Sequence, residues 1–274
     1  MPIVIIYRGT FTAGEEIANG VAQTLGYRCV SREVLIEASR SCGISEAKLN
    51  DILEKDAYWW ERWLQDMRPY RTALQAAMCE LAQEGNFVYY GHIGHELLPQ
   101  IRHVLKVMLT APLEFRISEI QSQHGLDEVG ARDYIDRVDA AGTRRLVALF
   151  GTDWRDMTRY DLALNVAQLG IDGVTRVIVE AARLERYQPN AASKQDFKNF
   201  ALVSRVQAAL VTSSRFRDLA VTVRAANGEV HVLGAFARSV SEKELVPLIK
   251  SVPGVVNVIT DCLPADLGKG LPLM

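Results

Sequence analysis

Cysteine is scarce, with Cys29, Cys42, Cys79 and Cys262 the four in 274 residues, and no two form a CxxC pair. That spacing argues against a zinc ribbon or a disulfide framework and suits reduced, mostly buried thiols in a cytoplasm. No uninterrupted apolar run reaches the roughly 18 residues of a membrane span, and none is expected here. The N-terminus lacks a basic segment ahead of an apolar core, so no signal peptide is expected. Internal repeats and low-complexity tracts are missing too. Excess charge of one sign is also lacking: 31 Lys+Arg stand against 33 Asp+Glu. Residues 1–193 carry 21 basic and 26 acidic side chains, residues 194–264 carry 9 and 6. The second region is too weakly basic to point to nucleic acid.

What is present is a chain with 49% apolar and 23% charged residues, long enough for one large or two ordinary domains. Residues 2–7, PIVIIY, are nearly all apolar, as in a strand buried on both faces of a parallel sheet. A glycine-bearing loop follows, and then a helical pattern with Ile17, Val21 and Leu25 four apart. Gly9 and Gly14 have the spacing of a phosphate-binding GxxxxGK[ST] loop. The lysine position, however, holds Glu15, and the hydroxyl position holds Glu16.

Strand and helix patterns then alternate. Strands are expected at residues 27–30, 87–90, 103–109 and 161–166. Helices are expected after Ser31, after Ser45, from Pro69 to a stop at residues 84–86, from Thr110-Ala111-Pro112, from Asp127, and over residues 174–184. Residues 58–63, YWWERW, read as core packing or an oligomer contact, with a base-stacking platform as the alternative. Alternation of this kind predicts a parallel α/β sheet with the ligand crevice at the carboxyl ends of its strands, where the loops at Gly9, Gly91 and Thr110 converge. Residues 187–194 have linker composition. Beyond them a helix over 197–210, two period-two strands around Asn227-Gly228, a helix after Ser241 and a last strand over 255–259 predict a small α+β module.

Residues 1–186 resemble the cytidylate kinase-like family of P-loop kinases. The likeness is carried by the strand and loop at 3–17, by GYRCVSRE at 26–33, by EGNFVYYGHIG at 84–94, by APLEFR at 111–116, and by GTDW at 151–154 with YDLALN at 160–165. Residues 195–264 resemble a BON module, an attachment domain of bacterial proteins; the hairpin at Asn227-Gly228, VLG at 232–234 and SVPGVVNV at 251–258 carry it. A ten-residue tail, 265–274, follows. The resemblance implies transfer of a phosphoryl group from ATP with Mg2+ to CMP or dCMP. It places nucleotide-binding roles on Arg8, Gly9, Thr10, Thr12, Ala13, Gly14, His92 and Asp153, and catalytic charge on Arg132 and Arg137, with Arg144, or its neighbour Arg145, as the substitute for a displaced lid arginine.

The charged positions depart from that pattern. The acceptor-phosphate arginine of the family falls on His92, its Asp before Arg-Glu on Ser31, and a lid arginine on Gly142. A unit charge 4 Å from a phosphate oxygen is worth about 4 kcal/mol at an effective dielectric of about 20, so reversing the sign at Glu15 costs on the order of 8 kcal/mol at the upper end. His92, His95 and Glu96 stand in HxxHE order, which matches neither HExxH nor HxxEH, so no metal site is expected, and His92 reads as a polar lining residue at the crevice mouth. The expectation is therefore a regulatory or scaffold pseudokinase that binds a nucleotide or another phosphate compound, fused to a lipid- or protein-attachment module. The alternatives are an active, divergent cytidylate kinase, or principally an attachment protein; a homo-oligomer fits any of them.

Overall fold

A computed structural model describes residues 2–7, 13–54, 67–83, 85–99, 101–217, 219, 221–236 and 242–264. The aromatic run at 58–63, the loop residues Arg8, Gly9, Thr10 and Thr12, Glu84, Ser241 and the tail 265–274 lie outside them.

Among the described residues, the first sheet has five parallel strands: β1 (Ile3–Tyr7), β2 (Arg28–Val30), β3 (Phe87–Gly91), β4 (Val104–Thr110) and β5 (Leu162–Asn165), in the order β2-β3-β1-β4-β5. The apolar run of β1 has a physical cause. Ile3, Ile5 and Tyr7 enter one core, Val4 and Ile6 the other, so both faces are covered. On the Val4 side lie α1 (Ala13–Leu25) and α8 (Val166–Arg183), with Ile17, Ala18, Val21 and Val174 buried. On the Ile3 side lie α2 (Glu33–Cys42), α3 (Glu46–Glu54) and α4 (Arg68–Gln83). The short α5 (Gly94–Leu97) follows β3. Helices α6 (Leu113–His124) and α7 (Glu128–Phe150) pair through a small cluster of their own, Ile117, Ile120, Ala131 and Ile135.

Helix α8 starts at Val166, eight residues before the expected 174. Gly170 breaks its regularity with φ 67° and ψ 169°, which hid the first turn from a periodicity count. Helix α9 (Ala191–Thr212) begins inside the stretch read as a linker, because Asn190 and Ser193 form a reciprocal capping box. Its residues Phe197 and Ala201 belong to the first core, while Leu202, Val206 and Leu210 belong to another. That second core is closed by β6 (Val221–Ala226), β7 (Glu229–Phe236), α10 (Glu242–Lys250) and β8 (Asn257–Pro264). Strands β6 and β7 are antiparallel across Asn227 (φ 51°) and Gly228 (φ 88°), the left-handed pair that a tight hairpin requires. Strand β8 runs parallel to β7. No helix among the described residues is long and apolar enough to cross a membrane.

Candidate nucleotide site

The carboxyl ends of β1, β3 and β4 are level: Tyr7 pairs in register with Gly91 on one side and Met108 on the other. Helix α1 starts beside them. A Cβ on Gly14 would lie 2.7 Å from the Tyr90 hydroxyl, so any larger residue there would push the Tyr90 ring aside. Glu15 and Glu16 are exposed in the first turn of α1, where the helix dipole favours a negative charge by about 0.3–1 kcal/mol each.

Tyr7, the last residue of β1, is 3% exposed and centres an aromatic cluster whose other members, His95 apart, are half-buried. It stacks on Trp154 with ring centroids 5.7 Å apart and planes 13° apart. Its other sides meet the edges of His92, His95 and Tyr160 at 6.5, 5.3 and 6.1 Å. The Tyr160 hydroxyl lies 3.3 Å from His95 Nε2. Burial holds the His95 imidazole neutral, its pKa lowered to about 3, and the positive charges of Lys106 and Arg159 push the same way. Burial likewise raises the Tyr7 and Tyr160 hydroxyls above the ordinary tyrosine range.

Charged groups ring this cluster. Arg116 Nη2 donates to both oxygens of Asp139 at 2.7 and 2.9 Å. Arg155 pairs with Asp153 at 2.9 Å, donates to Thr143 Oγ1 at 3.3 Å and lies over the Trp154 ring. Hydrogen bonds from Arg155 hold the Asp153 carboxyl below its usual range. Arg145 is 5% exposed and donates from Nε to the Ile52 carbonyl at 3.2 Å. Glu96, 9% exposed, accepts from Arg159 Nη1 at 2.8 Å. The Trp154 indole donates to the Asp139 carbonyl at 3.4 Å. Gly142 sits against this wall: a Cβ there would be 3.3 Å from the Tyr7 hydroxyl and 3.7 Å from the Trp154 ring.

Of the residues singled out by sequence, Ala13 and Gly14 open α1, and His92 and Asp153 reach the cluster around Tyr7. Arg8, Gly9, Thr10 and Thr12 lie outside the described residues. Arg132, Arg137 and Arg144 are exposed on α7. Arg132 is 4.0 Å from Glu128, and Arg137 lies over the Tyr134 ring. His95 and Glu96, weighed as metal ligands, are instead engaged with Tyr160 and Arg159. Sequence reasoning missed Tyr7 and Arg155; Arg145 it weighed only as a stand-in for the lid arginine. Tyr7 is indistinguishable from core in an apolar strand, and Arg155 lies in a loop position with no motif.

The sequence profile described as the cytidylate kinase-like family matches residues 3–168, more than half of the chain. The chain belongs to that family. Among proteins similar to it, the cytidylate kinase of Ignicoccus hospitalis is 29% identical over 179 residues, covering 65% of this chain and 97% of that one. The cytidylate kinase of Staphylothermus marinus is 27% identical over 186 residues, covering 65% and 95%. A crystal structure of an uncharacterized protein from Eubacterium ventriosum superposes with a TM-score of 0.52 at 17% identity, over 66% of this chain and 97% of that one. That likeness shows the fold.

Proposed function

We propose that this cytidylate kinase-like chain binds a nucleotide, or a related phosphate compound, in the crevice at the carboxyl ends of β1, β3 and β4 without ordinary phosphoryl transfer. The observation that carries the reading is the Tyr7–Trp154 stack packed against Gly142. The family resemblance puts a lid arginine at position 142. Here that position has no side chain, and a buried tyrosine hydroxyl stands 3.3 Å from where one would start. Phosphoryl transfer is mostly positioning and neutralisation of charge, so loss of the cation weakens the step directly.

Glu15 and Glu16 do not fit a magnesium-bound triphosphate either, since two carboxylates replace the lysine and the hydroxyl that would hold it. The acceptor side keeps aromatic faces and the paired charges Arg116–Asp139 and Arg155–Asp153, which suit a base and a polar sugar phosphate. Isothermal titration with CMP, dCMP and ATP, with and without Mg2+, combined with a coupled ADP-release assay, tests the reading. Monophosphate binding with negligible turnover is expected. Turnover near the 1–100 s−1 typical of kinases, as an order-of-magnitude range, would overturn it.

A second reading, an active divergent kinase, is favoured by one feature. The α6–α7 pair has its own small core and carries Arg132, Arg137 and Arg144 exposed, so these side chains are available to supply the missing charge. Turnover that disappears in an Arg137→Ala, Arg144→Ala double variant would support it. For residues 195–264 we retain the BON-like attachment reading, with 1–186 as the kinase-like unit; the mixed β6-β7-β8 sheet flanked by α9 and α10 supports it. Flotation of the full chain with anionic against neutral liposomes checks its lipid arm.

A further inference from the structure

A cavity of about 360 Å³ opens at the opposite end of the first sheet, beside the amino ends of β3 and β4. A five-residue strand separates this end from the Tyr7 crevice by roughly 15–20 Å. The cavity is floored by Ala82, Phe197 and Ala201 and lined by Gln83, Asn86 and His103, with α9 as one wall. Lys194 and Lys198 are one helical turn apart on α9, and Arg205 continues their face. Arg205 is occupied by Glu80 at 3.1 Å and by the Pro253 carbonyl at 2.7 Å. Among the described residues neither lysine forms an ion pair, and no described lining residue is a carboxylate. His103 is 6% exposed, has its Nδ1 buried with no hydrogen-bond partner among the described residues, and meets Phe197 edge to face at 6.0 Å. Burial, and then nearby positive charge including Lys194, disfavours its protonation.

We propose that this cavity is a second ligand site, for a small organic phosphate whose phosphate lies between Lys194 and Lys198 and whose ring lies on Phe197. Two lysines with no ion pair among the described residues, above an apolar floor, match that chemistry. Because α9 belongs to both cores, a ligand here ties α9 to the loop before β3. The site differs from the crevice of the proposed function and does not depend on that reading.

Phenyl phosphate and inorganic phosphate are the probes, titrated into the full chain. The ring resonance of His103, assigned through a His103→Gln variant, reports the location. We expect a saturable shift of that resonance and affinity for phenyl phosphate at least fivefold above inorganic phosphate. A Lys194→Gln, Lys198→Gln variant, altered only at exposed side chains, loses roughly tenfold or more in affinity for both. An unmoved His103 signal, or equal affinity in the double variant, overturns the site. Equal affinity for the two probes overturns the ring assignment.

Discussion

Mild acid acts on this fold through His95. Its imidazole is 1% exposed, and its pKa falls from 6.5 to about 3 on folding. Glu96 Oε1, 3.7 Å from His95 Nε2, pulls the other way, but Arg159 engages the same oxygen at 2.8 Å and burial decides the direction. Between those two pKa values the unfolded chain binds a proton that the folded chain refuses. Stability is thus full above pH 6.5 and falls as the pH drops below it. Between pH 7 and pH 5 the loss from this one group is about 2 kcal/mol. His95→Phe removes the proton while retaining an aromatic ring against Tyr7, 5.3 Å away. It also deprives the Tyr160 hydroxyl of its 3.3 Å partner, at a cost of about 1–2 kcal/mol. The variant is therefore expected to be less stable at pH 7 and to draw level with the parent near pH 5. Urea unfolding followed by tryptophan fluorescence, with midpoint and slope fitted at each pH, measures both. His103, which burial also holds toward the neutral form, is present in both proteins and cancels in the difference. Equal losses for parent and variant between pH 7 and 5 would show that the native state accommodates a charged His95, and the burial argument would fail.

Three other outcomes follow from the same geometry. Glu15→Lys with Glu16→Ser should strengthen ATP binding at least about tenfold, since the sign of the charge beside the helix N-terminus is reversed; an unchanged titration means the loop is not shaped for phosphate. Gly94→Ala places a Cβ into the Tyr89 ring and 2.9 Å from Ile5 Cγ2, inside a closed core, and should cost about 1–3 kcal/mol in thermal or chemical unfolding. An unaltered melting temperature would contradict that packing. Arg159→Met strands the Glu96 carboxylate, 9% exposed, and should cost about 3 kcal/mol. Adding Glu96→Gln should recover most of the loss; no recovery would mean Arg159 acts elsewhere.

The covalent sequence by itself settled the alternation of strand and helix, the buried character of β1 and the Asn227-Gly228 hairpin, because each rests on local periodicity or a backbone preference that neighbouring residues supply. It also determined that Glu15 and Glu16 follow Gly14, a fact of charge that no folding can alter. The early start of α9 was written in the Asn190–Ser193 box but lay beneath residues of linker composition. What only the tertiary structure decided is who shares a space. Tyr7 is a strand residue until Trp154, His92, His95 and Tyr160, distant in sequence, close around it. Gly142 is an ordinary helical glycine until Tyr7 occupies the volume above it. Lys194 and His103 become one cavity wall only when α9 docks at the amino ends of the strands. Such contacts depend on volume and charge brought together across long chain separations, and no local pattern records them.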